Sequence, residues 1–80
     1  MAFYDHCTVR AAGPSPDNVV KIWLKGPSFD CDLRADPGVN DWMLRVALTA
    51  ISTGKKVQVG MEGDKVNADD TIKNLYLEKG

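Results

Sequence analysis

His6 and Cys7 put a base directly beside a nucleophile. In an extended segment neighbouring side chains point to opposite faces, so the imidazole and the thiol are expected to diverge. His6 is the single imidazole of the chain. Serine chemistry would need it oriented by a carboxylate beside a strained serine, and no G-x-S-x-G elbow is present. Asp30, Asp32 and Asp36 lie close together, as metal-ligating carboxylates do, but alternation puts Asp30 and Asp32 on the solvated face of a strand. One histidine and two cysteines cannot complete a four-ligand zinc site within one subunit. Glycine-rich phosphate loops are absent. No catalytic residue, metal or cofactor is therefore expected, and the chain reads as a non-enzyme.

Binding chemistry is better represented. Trp23 stands between Lys21 and Lys25 on the polar parity of its strand. An outward indole flanked by cations offers a surface on which a sugar ring or a nucleobase could stack. The same pattern also fits an indole covered by a loop or a neighbouring subunit. Trp42 opens a helix and suits an anchor or an interface. Cys7 and Cys31 lie in different candidate strands, and two buried thiols or a disulfide are both open.

The elements that position these residues follow from period and punctuation. Phe3, Cys7, Val9 and Ala11 share one parity, with Tyr4, His6, Thr8 and Arg10 on the other, the mark of a strand with one buried face. A loop rich in proline, from Gly13 to Asn18, separates it from Val19 to Lys25, where Val20, Ile22 and Leu24 face inward. After the turn at Gly26-Pro27-Ser28, Phe29, Cys31 and Leu33 alternate with Asp30, Asp32 and Arg34. Asp36-Pro37-Gly38 ends that strand. Asn40 to Thr53 forms the one helix, with Asn40 expected as its cap and Gly54 as its left-handed stop. Val57, Val59 and Met61 mark a fourth strand. Thr71 to Lys79 is the fifth, with Leu75 and Leu77 inward, and Ile72 falls out of phase, so a bulge is expected near Asn74.

The order β-β-β-α-β-β describes a mainly β chain with one helix. It matches a five-stranded OB-like barrel, the oligonucleotide/oligosaccharide-binding architecture, as one domain over residues 1–80. An open antiparallel sheet with the helix on one face is the competitor. Val9, Val20, Ile22, Leu24, Leu33, Leu44, Leu48, Val57, Val59 and Leu77 are expected in the core. The helix is apolar over more than half its circumference. Leu44, Ala47, Leu48 and Ile51 share one face, and the adjoining face of Met43, Val46 and Ala50 either sinks between strands and loops or, with Trp42, meets other copies of the chain.

The segment ALTAISTGKKVQV, residues 47–59, resembles the helix-to-strand passage in B subunits of pentameric bacterial toxins, in particular the subtilase-cytotoxin and pertussis-like branch. The resemblance implies a ring of OB-fold subunits, a pentamer, with helices near its axis and a glycan-binding surface. The chain is shorter than those subunits, and its cysteine positions do not clearly correspond to theirs.

Bulk properties narrow the classes. A chain of 80 residues with 44% apolar and 26% charged residues suits one small globular core. Domains of this size bury only about 60% of the surface that the unfolded chain exposes, so partners often add stability. Ten basic against eleven acidic residues give a net charge of −1, which disfavours nucleic acid held by bulk charge. No apolar run approaches the ~18 residues of a membrane span. The N-terminal residues lack the pattern of a signal peptide, so the compartment is unknown: cytoplasmic as the chain stands, secreted if a signal was removed. The expected role is a homo-oligomeric binding or assembly module for a glycan or a protein, with a single-stranded nucleic-acid-binding OB domain as the alternative.

Overall fold

Three bulges decide which side chains reach the interior. In the computed structural model, which describes residues 2–79, the elements are β1 (Ala2–Pro14), β2 (Val20–Lys25), β3 (Asp30–Ala35), α1 (Asn40–Thr53), β4 (Val57–Met61) and β5 (Thr71–Leu77). The strands close in the order β1-β2-β3-β5-β4. β3 and β5 pair in parallel, and the remaining pairs are antiparallel. This is a closed five-stranded OB-type barrel, the architecture expected from the element order, and closure removes the free edges of the sheet.

β1 serves two neighbours, β4 with its first half and β2 with its second. Between Tyr4, opposite Val59, and Cys7, opposite Val57, the two residues Asp5 and His6 face a single residue of β4. His6 takes φ 58 there, and the extra residue resets the inward phase to Cys7 and Val9. A second shift makes Arg10 the extra residue between Val9 and Ala11. The simple alternation therefore fails at both ends of the strand. Phe3 is 52% exposed and Ala11 is exposed, whereas Tyr4 and Ala12 pack against the core. The third bulge, at Lys73 between Asn74 and Ile72, lies where it was expected and lets Ile72 and Leu75 both point inward. Leu77, expected inside, is instead exposed.

β2 and β3 follow their parity, with Ile22, Leu24 and Leu33 fully buried. Their turn depends on Gly26. Its N–H donates to the Phe29 carbonyl at 2.8 Å, and a Cβ on it would lie 2.5 Å from the Phe29 ring. That ring meets Tyr4 edge-on at 5.3 Å.

The helix is rotated from the expected orientation. Met43, Ala47 and Ala50 are buried against the barrel, while Leu44 and Val46 are half-buried and Leu48 and Ile51 are exposed. Alanines at 47 and 50 allow the helix axis to approach the strands more closely than leucines would. Met43 reaches to the chain entering the helix, where its Sδ lies 3.4 Å from the Asp36 N–H. Nor does Asn40 cap the helix. Val39 occupies that position without a side-chain bond, and the preceding turn is held by Asp36, whose carbonyl accepts from the Val39 N–H and whose carboxylate accepts from the Gly38 N–H. Gly54 does end the helix in the left-handed region, at φ 73.

Cys7 and Cys31 are free thiols, and β2 lies between the strands that carry them. Burial, aided by the Glu78 and Asp5 carboxylates, pushes the Cys7 thiol from 9.0 up to about 11. The unfolded thiol ionises first, so this group's contribution to stability is complete below pH 9.0 and is lost as pH rises towards 11. Stability should fall more steeply across that window in the native chain than in Cys7→Ala. Equal slopes in pH-resolved urea titrations would contradict the assignment.

Candidate functional site

The outer face of β1-β2-β3 assembles around Trp23. Alternation along β2 turns Lys21, Trp23 and Lys25 outward, and register places Ala11 and Asp32 on either side of Trp23. The indole is 41% exposed. Its N–H donates to Asp30 Oδ1 at 2.6 Å, while Arg10 Nη1 donates to Asp30 Oδ2 at 2.8 Å. The Arg10 guanidinium stands 5.8 Å from the ring centroid, within cation–π range. One carboxylate thus fixes both the plane of the indole and the cation over it. The Trp23 bond and the Arg10 charge hold the Asp30 carboxyl below its usual range.

Two loops flank this face. The loop at residues 15–19 is a tight turn in which the Ser15 hydroxyl bonds the Asp17 carboxylate and Asn18 adopts φ 64. The loop at residues 62–70 is fastened along β3: the Asp69 N–H donates to the Asp32 carbonyl at 2.8 Å, and the Arg34 N–H to the Asp70 carbonyl at 2.9 Å. Asp69 also pairs with Lys21 and is held below the usual carboxylate range by that bond. Lys21 therefore locks a loop, whereas Lys25 forms no ion pair among the described residues.

The sequence-predicted ligand residues are thus brought to one face but divide in role. Trp23 is a held aromatic surface, Lys25 a free cation beside it, and Lys21 a clamp. Sequence reasoning missed Arg10 and Asp30. Asp30 has an ordinary outward parity, and Arg10 reaches the indole from a bulge that alternation does not reveal.

The predicted interface residues separate as well. Trp42 is 66% exposed beneath the Arg45 guanidinium, 5.2 Å from its ring, and Val46 is half-buried. Together with Val39 and Tyr76 they line a groove of about 160 Å³ between α1 and β5. The rotation of the helix buries Ala50 and most of Met43 in their own barrel, and Met43 is reached only through that groove. The exposed apolar residues on the other flank of the helix are Leu48 and Ile51.

His6 is oriented by the Glu78 carboxylate. Its Nδ1 lies 2.8 Å from Glu78 Oε1, and its backbone N–H donates to Glu78 Oε2 at 2.9 Å. Among the described residues, no helix is long and apolar enough to cross a membrane.

These features define the class: an OB-type barrel with an aromatic residue presented on the strand face between its two flanking loops. No protein-family model matches the chain, and no curated protein matches it.

Proposed function

We propose that this protein is a non-enzymatic binding module that takes a glycan on the outer face of β1-β2-β3, with Trp23 as the stacking surface. The observation that carries this reading is the Trp23–Asp30–Arg10 arrangement, an indole held at its N–H by Asp30, with Arg10 over its ring and the residue still 41% exposed. Sugar hydroxyls both donate and accept, so they suit a border of mixed charge. A run of phosphodiesters would meet Asp17, Asp30, Asp32 and Asp69 around the same face, and Lys21 is already neutralised there by Asp69. That charge distribution makes single-stranded nucleic acid the weaker alternative. The position also corresponds to the strand face and loops that OB barrels use for oligosaccharides and oligonucleotides.

A glycan screen tests the proposal, read by Trp23 fluorescence on the Trp42→Phe background and by titration calorimetry for Trp23→Ala, which lacks that indole. Trp23→Ala should weaken glycan binding at least about fivefold, from a stacking contribution of ~1–3 kcal/mol, with the far-ultraviolet spectrum unchanged. Glycan affinity unaffected by Trp23→Ala, or oligonucleotide binding with a steep salt dependence, would refute the glycan reading.

A second reading concerns assembly. The exposed apolar flank of α1, with Leu48 and Ile51, supports a homo-oligomer, and the toxin-subunit resemblance favours a pentameric ring. In that reading the ring presents several copies of the Trp23 face and gains avidity for repeated sugars.

A further inference from the structure

Beyond Lys25 the β1-β2-β3 face runs into a recess of about 420 Å³ that the glycan reading does not use. Its walls include His6 and Thr8 from β1, Lys25 and Gly26 from the end of β2, and Lys56 from the segment leading into β4. Cations thus converge from separate parts of the chain. Lys56 Nζ donates to Thr8 Oγ1 at 2.6 Å, which holds the ammonium beside the recess and leaves the Thr8 hydroxyl free to donate its own proton. Neither Lys25 nor Lys56 forms an ion pair among the described residues.

Two of the nearby carboxylates are hydrogen-bonded to donors of the chain. Asp5, which also lines the recess, accepts from the Gln58 amide at 2.6 Å. Glu78 spends one oxygen on the His6 backbone N–H and the other on Nδ1. Those two bonds hold His6 at φ 58, a left-handed conformation that is unfavourable for a non-glycine residue. A bulge is a common device for re-aiming a side chain. Here it lines the recess with an imidazole whose Nδ1 is bonded to Glu78 and whose Nε2 has no partner among the described residues.

We propose that this recess is a binding site for a phosphate monoester, its oxyanion held by Lys25, Lys56 and the Thr8 hydroxyl. A tetrahedral oxyanion can accept from three directions at once, which suits donors arriving from separate segments. A planar carboxylate uses two oxygens and suits a single fork. The recess is larger than one phosphate group, so part of the esterified molecule enters with it. His6 adds a donor through Nε2 when its ring is protonated. The proposal does not rest on the glycan reading, because Trp23 takes no part in it.

The test is titration of the full chain with inorganic phosphate, a hexose 6-phosphate and adenosine 5′-monophosphate at constant ionic strength, followed by backbone amide shifts. Shifts should centre on residues 5–8, 25–27 and 56, and at least one ester should bind more tightly than inorganic phosphate. The tighter ester identifies the attached group. Lys56→Ala and Lys25→Ala should each weaken phosphate binding about tenfold, the expected loss of one charge-assisted hydrogen bond. Lys65→Ala, which removes an exposed lysine elsewhere, should leave phosphate affinity unchanged. A loss in Lys65→Ala equal to that in Lys56→Ala would overturn the site in favour of diffuse attraction. Displacement by chloride at the same concentration, or esters binding more weakly than inorganic phosphate, would overturn it too.

Discussion

Leu33→Ala should remove a large part of the stability of this barrel. Leu33 lies opposite Ile22 on β2 and is fully buried within the single core cluster. Truncating such a leucine costs roughly 3–5 kcal/mol, the transfer of the lost atoms plus the cavity that remains. A domain of this length has in total about 4–12 kcal/mol, at 0.05–0.15 kcal/mol per residue. The loss is therefore a large part of the whole. With a urea m value of about 1–1.5 kcal/mol per molar, the unfolding midpoint should fall by 2 M or more. Leu77→Ala is the control, since Leu77 is exposed at the end of β5 and should cost under about 1 kcal/mol. If the two losses were equal, the inward phase assigned to β3 would be mistaken.

Part of this core is legible in the sequence, and the exceptions have definite causes. Ile22, Leu24 and Leu33 are read correctly because β2 and β3 are short and regular, so parity propagates along them without error. Along β1 parity fails twice, because each bulge adds one residue and no local composition marks Asp5-His6 or Arg10 as bulged. The bulge in β5 is visible only because Ile72 is too apolar to belong outside. Bulges that place apolar residues out of phase are legible; those at polar residues are not.

The helix shows a different limit. Its apolar arc exceeds what one barrel can cover, so periodicity alone leaves two orientations open. The arc of Leu44, Ala47, Leu48 and Ile51 is expected inside, and of these only Ala47 is buried. Packing distance turns the helix towards Met43 and Ala50, because Ala47 and Ala50 let the backbone come close while Met43 fills the remaining space. Small residues beside a sheet are stronger evidence of the buried face than large ones. The Trp23 face was half legible. Period placed Trp23 and the lysines outward, but pairing between distant residues, Arg10 with Asp30 and Lys21 with Asp69, depends on strand order and loop path. Those are properties of the closed barrel.

The same rotation changes what holds an oligomer together, and Leu48→Glu should dissociate one. Leu48 is 47% exposed and Ile51 44%, and both lie on the flank of α1 away from Trp42. A helix of 14 residues offers an edge about 21 Å long. Packing that edge against a neighbour removes apolar surface at about 25 cal/mol per Å². Wild-type chain should therefore show a mass several times 8.8 kDa by light scattering behind a sizing column. Glutamate at position 48 would place an unpaired charge in the contact, a cost that an assembled ring must bear and a separate subunit does not. Because the residue is exposed in the barrel, Leu48→Glu should elute as a folded monomer with an unchanged far-ultraviolet spectrum. Ala47→Glu, one residue away but fully buried, should instead fail to fold. A wild-type monomer at micromolar concentration would end the ring proposal. An oligomer whose mass survives Leu48→Glu would move the contact to the opposite flank, where Trp42 and Val46 border the groove against β5.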